Sequence, residues 1–352
     1  MAITIHSQPP LHTGAFGKNI HQLSTSNGDI KQLRYELLAT DGSTLLGTQF
    51  SPLFNYPIGR RSIINTGGLY SSLFPSYTNP ILGFTNMFHE INPTNHFRQV
   101  INRFTEVNGT SISSTSINLY KAVNVNFNVA GFWNTSGTEK FLAYTRLNNR
   151  IRRFAVDGQY IPIVYYTNQL TTDTLFHAGT VNKLMGFTSI NLHHYRSLIW
   201  RATSTLPFGT IRLASNTLTY PSLELSIDRN LYSRSKILYF LNDFGGWEWY
   251  NFIDYESVNR GDKTQILRHI NIDGDLGIGQ LSNDSVRRFK LFGRPATRDF
   301  TFHLKDLVTS PIVLDENGIE VRVLDDNIMY DGLGLIEPTV TIEYIREKTI
   351  KF

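Results

Sequence analysis

Cysteine is absent from this chain of 352 residues, which removes disulfides, thiolate metal sites and thiol nucleophiles together. Stability must come from packing and assembly instead. Charge is sparse too, with Asp, Glu, Lys and Arg making up 18% of residues against about 25% in ordinary globular domains. No uncharged apolar run reaches the roughly 18 residues that a membrane helix needs. The opening, MAITIHSQPPLH, has neither the basic start nor the unbroken apolar core of a signal peptide. The expectation is a product made in the cytosol, with no membrane span.

The motifs that mark catalysis and ligand binding are missing as well. Phe88-His89-Glu90 begins like a zincin motif, but Pro93 stands where HExxH needs its second histidine. His193 and His194 are adjacent, which on a strand sends their rings to opposite faces. Asn271, Asp273 and Asp275 imitate the first ligands of a calcium loop, yet Leu276 replaces the turn glycine and Ser282 stands in the place of the bidentate Glu. That segment reads as a β-turn or as a calcium site of another kind. Gly277 and Gly279 do not extend to GxGxxG, and GxxxxGK[ST] and GxSxG are absent. No catalytic residue, cofactor-binding residue or metal ligand set is identified, and no cofactor is expected.

What the chain has in quantity is apolar and short polar residues. Hydrophobic residues reach 41% and aromatics 12%, with 23 Phe and 17 Tyr, ample for large cores. Abundant Asn, Thr and Ser favour strands and turns over helices, because their side chains compete for backbone hydrogen bonds. Val123, Val125, Phe127 and Val129 alternate with asparagines, the period-two signature of a half-buried strand. Lys236–Leu241, Trp247–Ile253, Ile319–Leu324 and Thr339–Ile345 read as strands too. Gly245-Gly246 between the first two of these runs marks a hairpin.

Phe97, Val100, Ile101, Phe104 and Val107 fit the i, i+3, i+4, i+7 template, so a helix is expected there, with a second short one at Leu304–Val308 before Ser310-Pro311. The first thirty residues, with Pro9, Pro10, Gly14 and Gly17, suggest an extended arm, and Phe50–Phe84 suggests a long ordered loop. The expected fold is mainly β: two β-sandwich or jelly-roll-like domains, residues 1–135 and 136–352, with one or two short helices and an extended N-terminal arm.

Net charge is +4, from 33 Lys and Arg against 29 Asp and Glu, and the basic residues are scattered. The densest clusters, Arg150, Arg152 and Arg153, then Arg287, Arg288 and Lys290, suit solvated strand faces or subunit salt bridges, so no nucleic-acid partner is expected. Trp247 and Trp249 fall on one face of one strand. They are candidate glycan contacts, set against the simpler reading that large aromatics after a tight turn bury against their sheet.

Five segments together resemble structural proteins of tailed phages and prophages of Bacteroidota bacteria. They are Ala2–Pro9; Leu33–Leu37 with Asp41-Gly42; Leu238–Phe252, reading LYFLNDFGGWEWYNF; Leu304–Leu314, reading LKDLVTSPIVL; and Thr339–Ile345. The region from Phe50 to Phe141 carries no part of the resemblance. The resemblance implies a virion protein of tail or host-attachment type with no assigned reaction; the expected partners are further copies of this chain, other virion proteins and, in the receptor-binding alternative, a host surface receptor. The expected function is a tail-tip or baseplate-type component. Alternatives are an icosahedral capsid protein of jelly-roll type, or a receptor-binding protein that engages host glycan.

Overall fold

The computed structural model describes residues 3–26, 28–56, 59–74, 88–91, 97–106, 111–114, 116–122, 141–143, 150–167, 174–178, 181–185, 194–201, 209–215, 223–270, 276–294, 298–327 and 337–344. The first group of elements is β1 (Ile3–Ser7), β2 (His12–Gly14), β3 (Ile20–Thr25), β4 (Gln32–Leu38), β5 (Leu45–Pro52), β6 (Phe54–Tyr56), β7 (Gly59–Asn65), α1 (Gly67–Ser72), β8 (Phe88–Ile91), β9 (Phe97–Glu106), β10 (Ser111–Ser113) and β11 (Ile117–Tyr120). A middle group holds β12 (Phe141–Ala143), β13 (Arg150–Ala155), β14 (Tyr160–Thr167), β15 (Thr174–Ala178), β16 (Val181–Met185), β17 (His194–Arg201), β18 (Gly209–Ser215) and β19 (Leu223–Arg229). The last group is β20 (Lys236–Leu241), β21 (Trp247–Phe252), β22 (Asp254–Ile270), β23 (Leu276–Phe292), α2 (Arg298–Thr309), β24 (Val313–Leu314), β25 (Val321–Asn327) and β26 (Thr339–Tyr344). The fold is mainly β, as its composition dictates.

In the first group, the sheet β1-β3-β7-β6 faces a second sheet ordered β2-β11-β9-β4-β5, with β10 on β9. Leu23 and Ile64 of one sheet meet Leu33, Tyr35, Leu37, Val100, Phe104, Ile117 and Leu119 of the other in one buried cluster. Three expectations change here. The N-terminal segment is no arm: β1 pairs antiparallel with β3 and β2 runs parallel to β11, because Ile3 and Ala15 carry the apolar surface to join the core. Of the loop expected at Phe50–Phe84, the described residues up to Phe74 form the end of β5, then β6, β7 and α1, and 75–84 lie outside the described residues.

The third change is at Phe97–Glu106, a strand and not a helix. Val100, Asn102 and Phe104 are buried in alternation while Ile101 and Arg103 are less so, which is period two. The polar Asn102 at a core position hides that period and leaves Val100, Ile101 and Phe104 to mimic a helix. Asn102 is there because its Oδ1 accepts from the Tyr35 hydroxyl at 2.7 Å and the Tyr70 hydroxyl at 2.9 Å, satisfying groups that are costly to bury alone.

The middle sheets are ordered β12-β14-β17-β8 and β13-β19-β18-β15-β16. β8 lies before the expected boundary at residue 135 yet pairs with β17 beyond it, His89 opposite Ile199. The last group builds the sheets β21-β20-β24 and β22-β23-β26-β25. Their core, Leu238, Phe240, Tyr250, Phe252, Phe289, Leu291, Val340 and Ile342, is closed by Leu304 and Leu307 of α2, the helix expected at Leu304–Val308. The strands expected at 319–324 and 339–345 correspond to β25 and β26. The alternating run 123–129 lies outside the described residues.

Candidate functional site

The hairpin β20–β21 is where the sequence concentrates its least ordinary residues. Lys236 lies opposite Phe252 and Leu241 opposite Trp247. The turn is tied by Asn242: its N–H donates to the Gly246 carbonyl at 2.9 Å, and its side-chain Oδ1 accepts from the N–H groups of Phe244 at 3.0 Å and Gly246 at 2.8 Å. Gly245 takes φ +79°, a left-handed conformation that glycine adopts without cost. Gly246 is not among the residues of positive φ, so only the first glycine of the pair is required by backbone angle.

β21 is buried at every position, because both of its faces are covered. Tyr250 and Phe252 face the core that α2 closes. On the other face, Trp249 donates from Nε1 to the Phe154 carbonyl at 3.1 Å, Asn251 and Gln159 exchange amide hydrogen bonds, and Tyr239 donates to the Tyr160 carbonyl at 2.7 Å. β13 and β14 thus lie against the tryptophan face. Trp247 is 4% and Trp249 3% exposed. A sugar stacks on a ring face that solvent can reach, so the glycan-contact reading of Trp247 and Trp249 is corrected: both are packing residues in this chain.

Beside them is a buried charged cluster that the sequence did not announce. Glu248 accepts at Oε2 from Arg153 Nη2 at 2.7 Å and at Oε1 from Asn242 Nδ2 at 2.6 Å, while His303 Nε2 of α2 lies 2.6 Å from Oε2. Arg153 also donates from Nη1 to the Trp249 carbonyl at 2.8 Å, and its guanidinium lies 4.8 Å from the Trp249 ring centroid. Every member is buried. A catalytic group must reach a substrate, whereas here the carboxylate's oxygens are occupied by its own chain. The arrangement binds three elements, β13, β21 and α2, to one another.

The other candidate residues are not brought together. Of the basic cluster, Arg153 is buried while Arg152, exposed, pairs with Asp228 at 2.6 Å, so neighbouring arginines point to opposite faces. Arg288 pairs with Glu343 at 2.6 Å, and Lys290 lies 5.6 Å from the Phe292 ring centroid. His89 and Glu90 belong to β8, and His194 opens β17 opposite Thr167. His193 and the Asn271, Asp273, Asp275 segment lie outside the described residues. Among the described residues, no group of three or more His, Cys, Asp or Glu could hold a metal ion, and no helix is long and apolar enough to cross a membrane.

Sequence reasoning also missed a polar network inside the first sandwich. His21, fully buried, has Nε2 3.3 Å from the Tyr70 hydroxyl, and that hydroxyl donates to Asn102. The Tyr70 oxygen therefore accepts from His21 Nε2–H, leaving Nδ1 as a bare lone pair with no hydrogen-bond partner. Burial pushes the imidazole down to about 4, since a second N–H would enter an apolar space beside Phe104 and Tyr35.

No family model and no curated protein matches the chain. Among solved structures, it overlaps the polymeric Ig receptor ectodomain of a teleost fish, at 7% identity, 65% of this chain, 98% of that one and a TM-score of 0.21. It overlaps Drosophila OTK extracellular domains 3–5 at 10% identity, 83% of this chain, 92% of that one and a TM-score of 0.20. For the fibronectin(III)-like modules of Clostridium thermocellum CbhA the values are 9%, 65%, 95% and 0.17. TM-scores this far below 0.5 leave these likenesses without weight for fold or function.

Proposed function

We propose that this chain is a non-enzymatic structural component of a bacteriophage virion, of tail-tip or baseplate type, that works by assembling with other subunits. The observation that carries the reading is how the chain distributes its chemistry. The charged and polar groups of its most distinctive segment, Glu248, Arg153, Asn242 and His303, are buried and engaged with one another. Among the described residues, a run of exposed large hydrophobics lies along the first sandwich instead, at Leu45, Leu46, Phe50, Phe54, Tyr56 and Ile63, the kind of surface that subunit contact covers. The resemblance of Leu238–Phe252 and its companion segments to Bacteroidota phage structural proteins gives the assembly its setting.

The test is quantitative mass spectrometry of purified particles from a host that carries the gene. A handful of copies or a few rings per particle is the expected result. Hundreds of copies would replace the tail reading with the capsid one, and absence from particles would overturn the virion reading altogether.

A further inference from the structure

Among the described residues, β5 is the outer strand of its sheet, paired with β4 alone, and β6 is the outer strand of the facing sheet, paired with β7 alone. The two follow one another in the chain, so Leu45–Tyr56 passes from the outer edge of one sheet to the outer edge of the other. From Gly42 to Tyr56 there is no charged residue. Leu45 is 54% exposed, Leu46 41%, Phe50 55%, Phe54 54% and Tyr56 39%. Sheet edges that must stay solitary carry lysines or inward charges, or are kept very short. This edge carries no charge; its devices against pairing are Pro52 and, at its start, the register shift between Leu45 and Gly47, which leave Gly47–Ser51 regular.

The backbone shows how the edge is presented. Leu53 N–H donates to the Lys31 carbonyl at 2.9 Å, so by the alternation of an antiparallel ladder the odd-numbered residues of β5 turn toward β4, while Thr48, Phe50 and Pro52 turn outward. The outward N–H groups belong to Thr48 and Phe50, and proline, which has none, only needs to accept. Charges stand at the two ends of the ribbon and differ in sign. Asp41 caps the turn before β5 through the N–H groups of Ser43 and Thr44, and Arg60 and Arg61 follow β6 in β7.

We infer that this edge is a homodimer interface, in which β5 of one chain pairs antiparallel with β5 of a second copy about a two-fold axis beside Phe50. Phe50 then lies opposite its own counterpart, and Thr48 opposite Pro52 of the other copy, a register in which every outward N–H finds a carbonyl. The antiparallel sense brings the Asp41 turn of each copy toward the Arg60–Arg61 end of the other; a parallel sense would set like charges side by side. A two-fold contact needs a self-complementary surface, and an uncharged ribbon with opposite charges at its ends is one. This inference names the partner in the assembly proposed above and rests on that reading only for its biological setting.

The absence of cysteine makes the test clean. Purified full-length chain is expected to be a dimer by light scattering, and Phe50→Cys is expected to form a covalent dimer under mild oxidation, at least tenfold faster than Leu231→Cys, an exposed position outside the ribbon. Phe50→Lys sets two ammonium groups against each other across the axis and should give a monomer with an unchanged circular dichroism spectrum and a melting temperature that, unlike that of the wild type, does not rise with protein concentration. A monomeric wild type, equal cross-linking rates for the two cysteine variants, or a Phe50→Lys chain that stays dimeric would each overturn the inference. All these readouts use the isolated chain, so their failure leaves the virion reading standing, and absence from particles leaves the dimer standing.

Discussion

Replacing Gly245 with alanine separates two costs that usually arrive together. At φ +79° an alanine is strained by about 1–2 kcal/mol, the left-handed penalty for any residue with a Cβ. The new Cβ would also stand 1.7 Å from the Lys121 carbonyl oxygen and 2.8 Å from its carbon. That oxygen belongs to backbone and has no flexible end to swing away, so relief requires a retreat of roughly 1.5 Å between the turn and the end of the first sandwich, which a close-packed interior resists. Overpacking of this kind costs about 1–3 kcal/mol, giving about 2–5 kcal/mol in total. Gly42 is the control: its φ is +70° and a Cβ there meets nothing within 4 Å, so Gly42→Ala bears the dihedral strain alone. Urea unfolding followed by tryptophan fluorescence should place the Gly245→Ala midpoint about 0.5–1.5 M below that of Gly42→Ala, for slopes of ~2 kcal/mol/M. Coincident midpoints would refute the packing argument and leave only the turn conformation.

Trp249→Ala should lose about 3–5 kcal/mol of stability in the same assay, whereas a ring used for recognition would leave the midpoint unmoved. Glu248→Gln removes the carboxylate from the buried Arg153 guanidinium and should cost about 3–5 kcal/mol; the double variant Arg153→Met, Glu248→Leu should recover much of that loss, because the uncompensated charge goes with it. The His21 imidazole, held near 4 in the folded chain against 6.5 unfolded, binds fewer protons folded than unfolded between those values. Its contribution to stability is therefore complete above pH 6.5 and declines as pH falls toward 4, by about 3 kcal/mol in all. His21→Gln should flatten that part of the stability profile, and an unchanged slope would sink the assignment.

The parts of the fold legible in the sequence are those where one residue type does one job. β20, β21 and their turn follow from two apolar runs about Gly245-Gly246, and α2 from the apolar pattern ended by Ser310-Pro311. β9 was not legible, because its core face includes Asn102, which serves Tyr35 and Tyr70 across the sandwich, and a period read from hydrophobicity alone skips a polar residue in the core. β6 and β7 failed for another reason. Phe54 and Ile63 are exposed and Ser62 is buried, donating to Ser51 Oγ at 2.7 Å, so polar and apolar residues sit inverted relative to the rule for a solitary sheet. That inversion fits the outward contact proposed for this edge.

The site was less legible than the fold. Trp247-Glu248-Trp249 has the alternation of a strand with one wet face, and from sequence a surface aromatic pair and a buried one look alike. What decides is the layer beyond: β13, β14 and the turn between them lie far earlier in the chain, yet they supply the Phe154 carbonyl, Gln159 and Arg153 that close over the tryptophan face. A signal was present in the middle of the motif, since a glutamate between two tryptophans must find a cation if both faces are covered. Arg153 is that cation, 95 residues away, and no local pattern pairs them. The same logic runs in reverse at Gly42–Tyr56: a long stretch without charge, neither apolar enough for a core nor polar enough for a loop, is what a strand looks like when its second neighbour belongs to another molecule. Covering that edge should protect the amides of Thr48 and Phe50, so hydrogen exchange at these two should slow as protein concentration rises while the amides of the Leu231 loop exchange unchanged. Exchange at Thr48 and Phe50 that does not depend on concentration would mean the edge stays open.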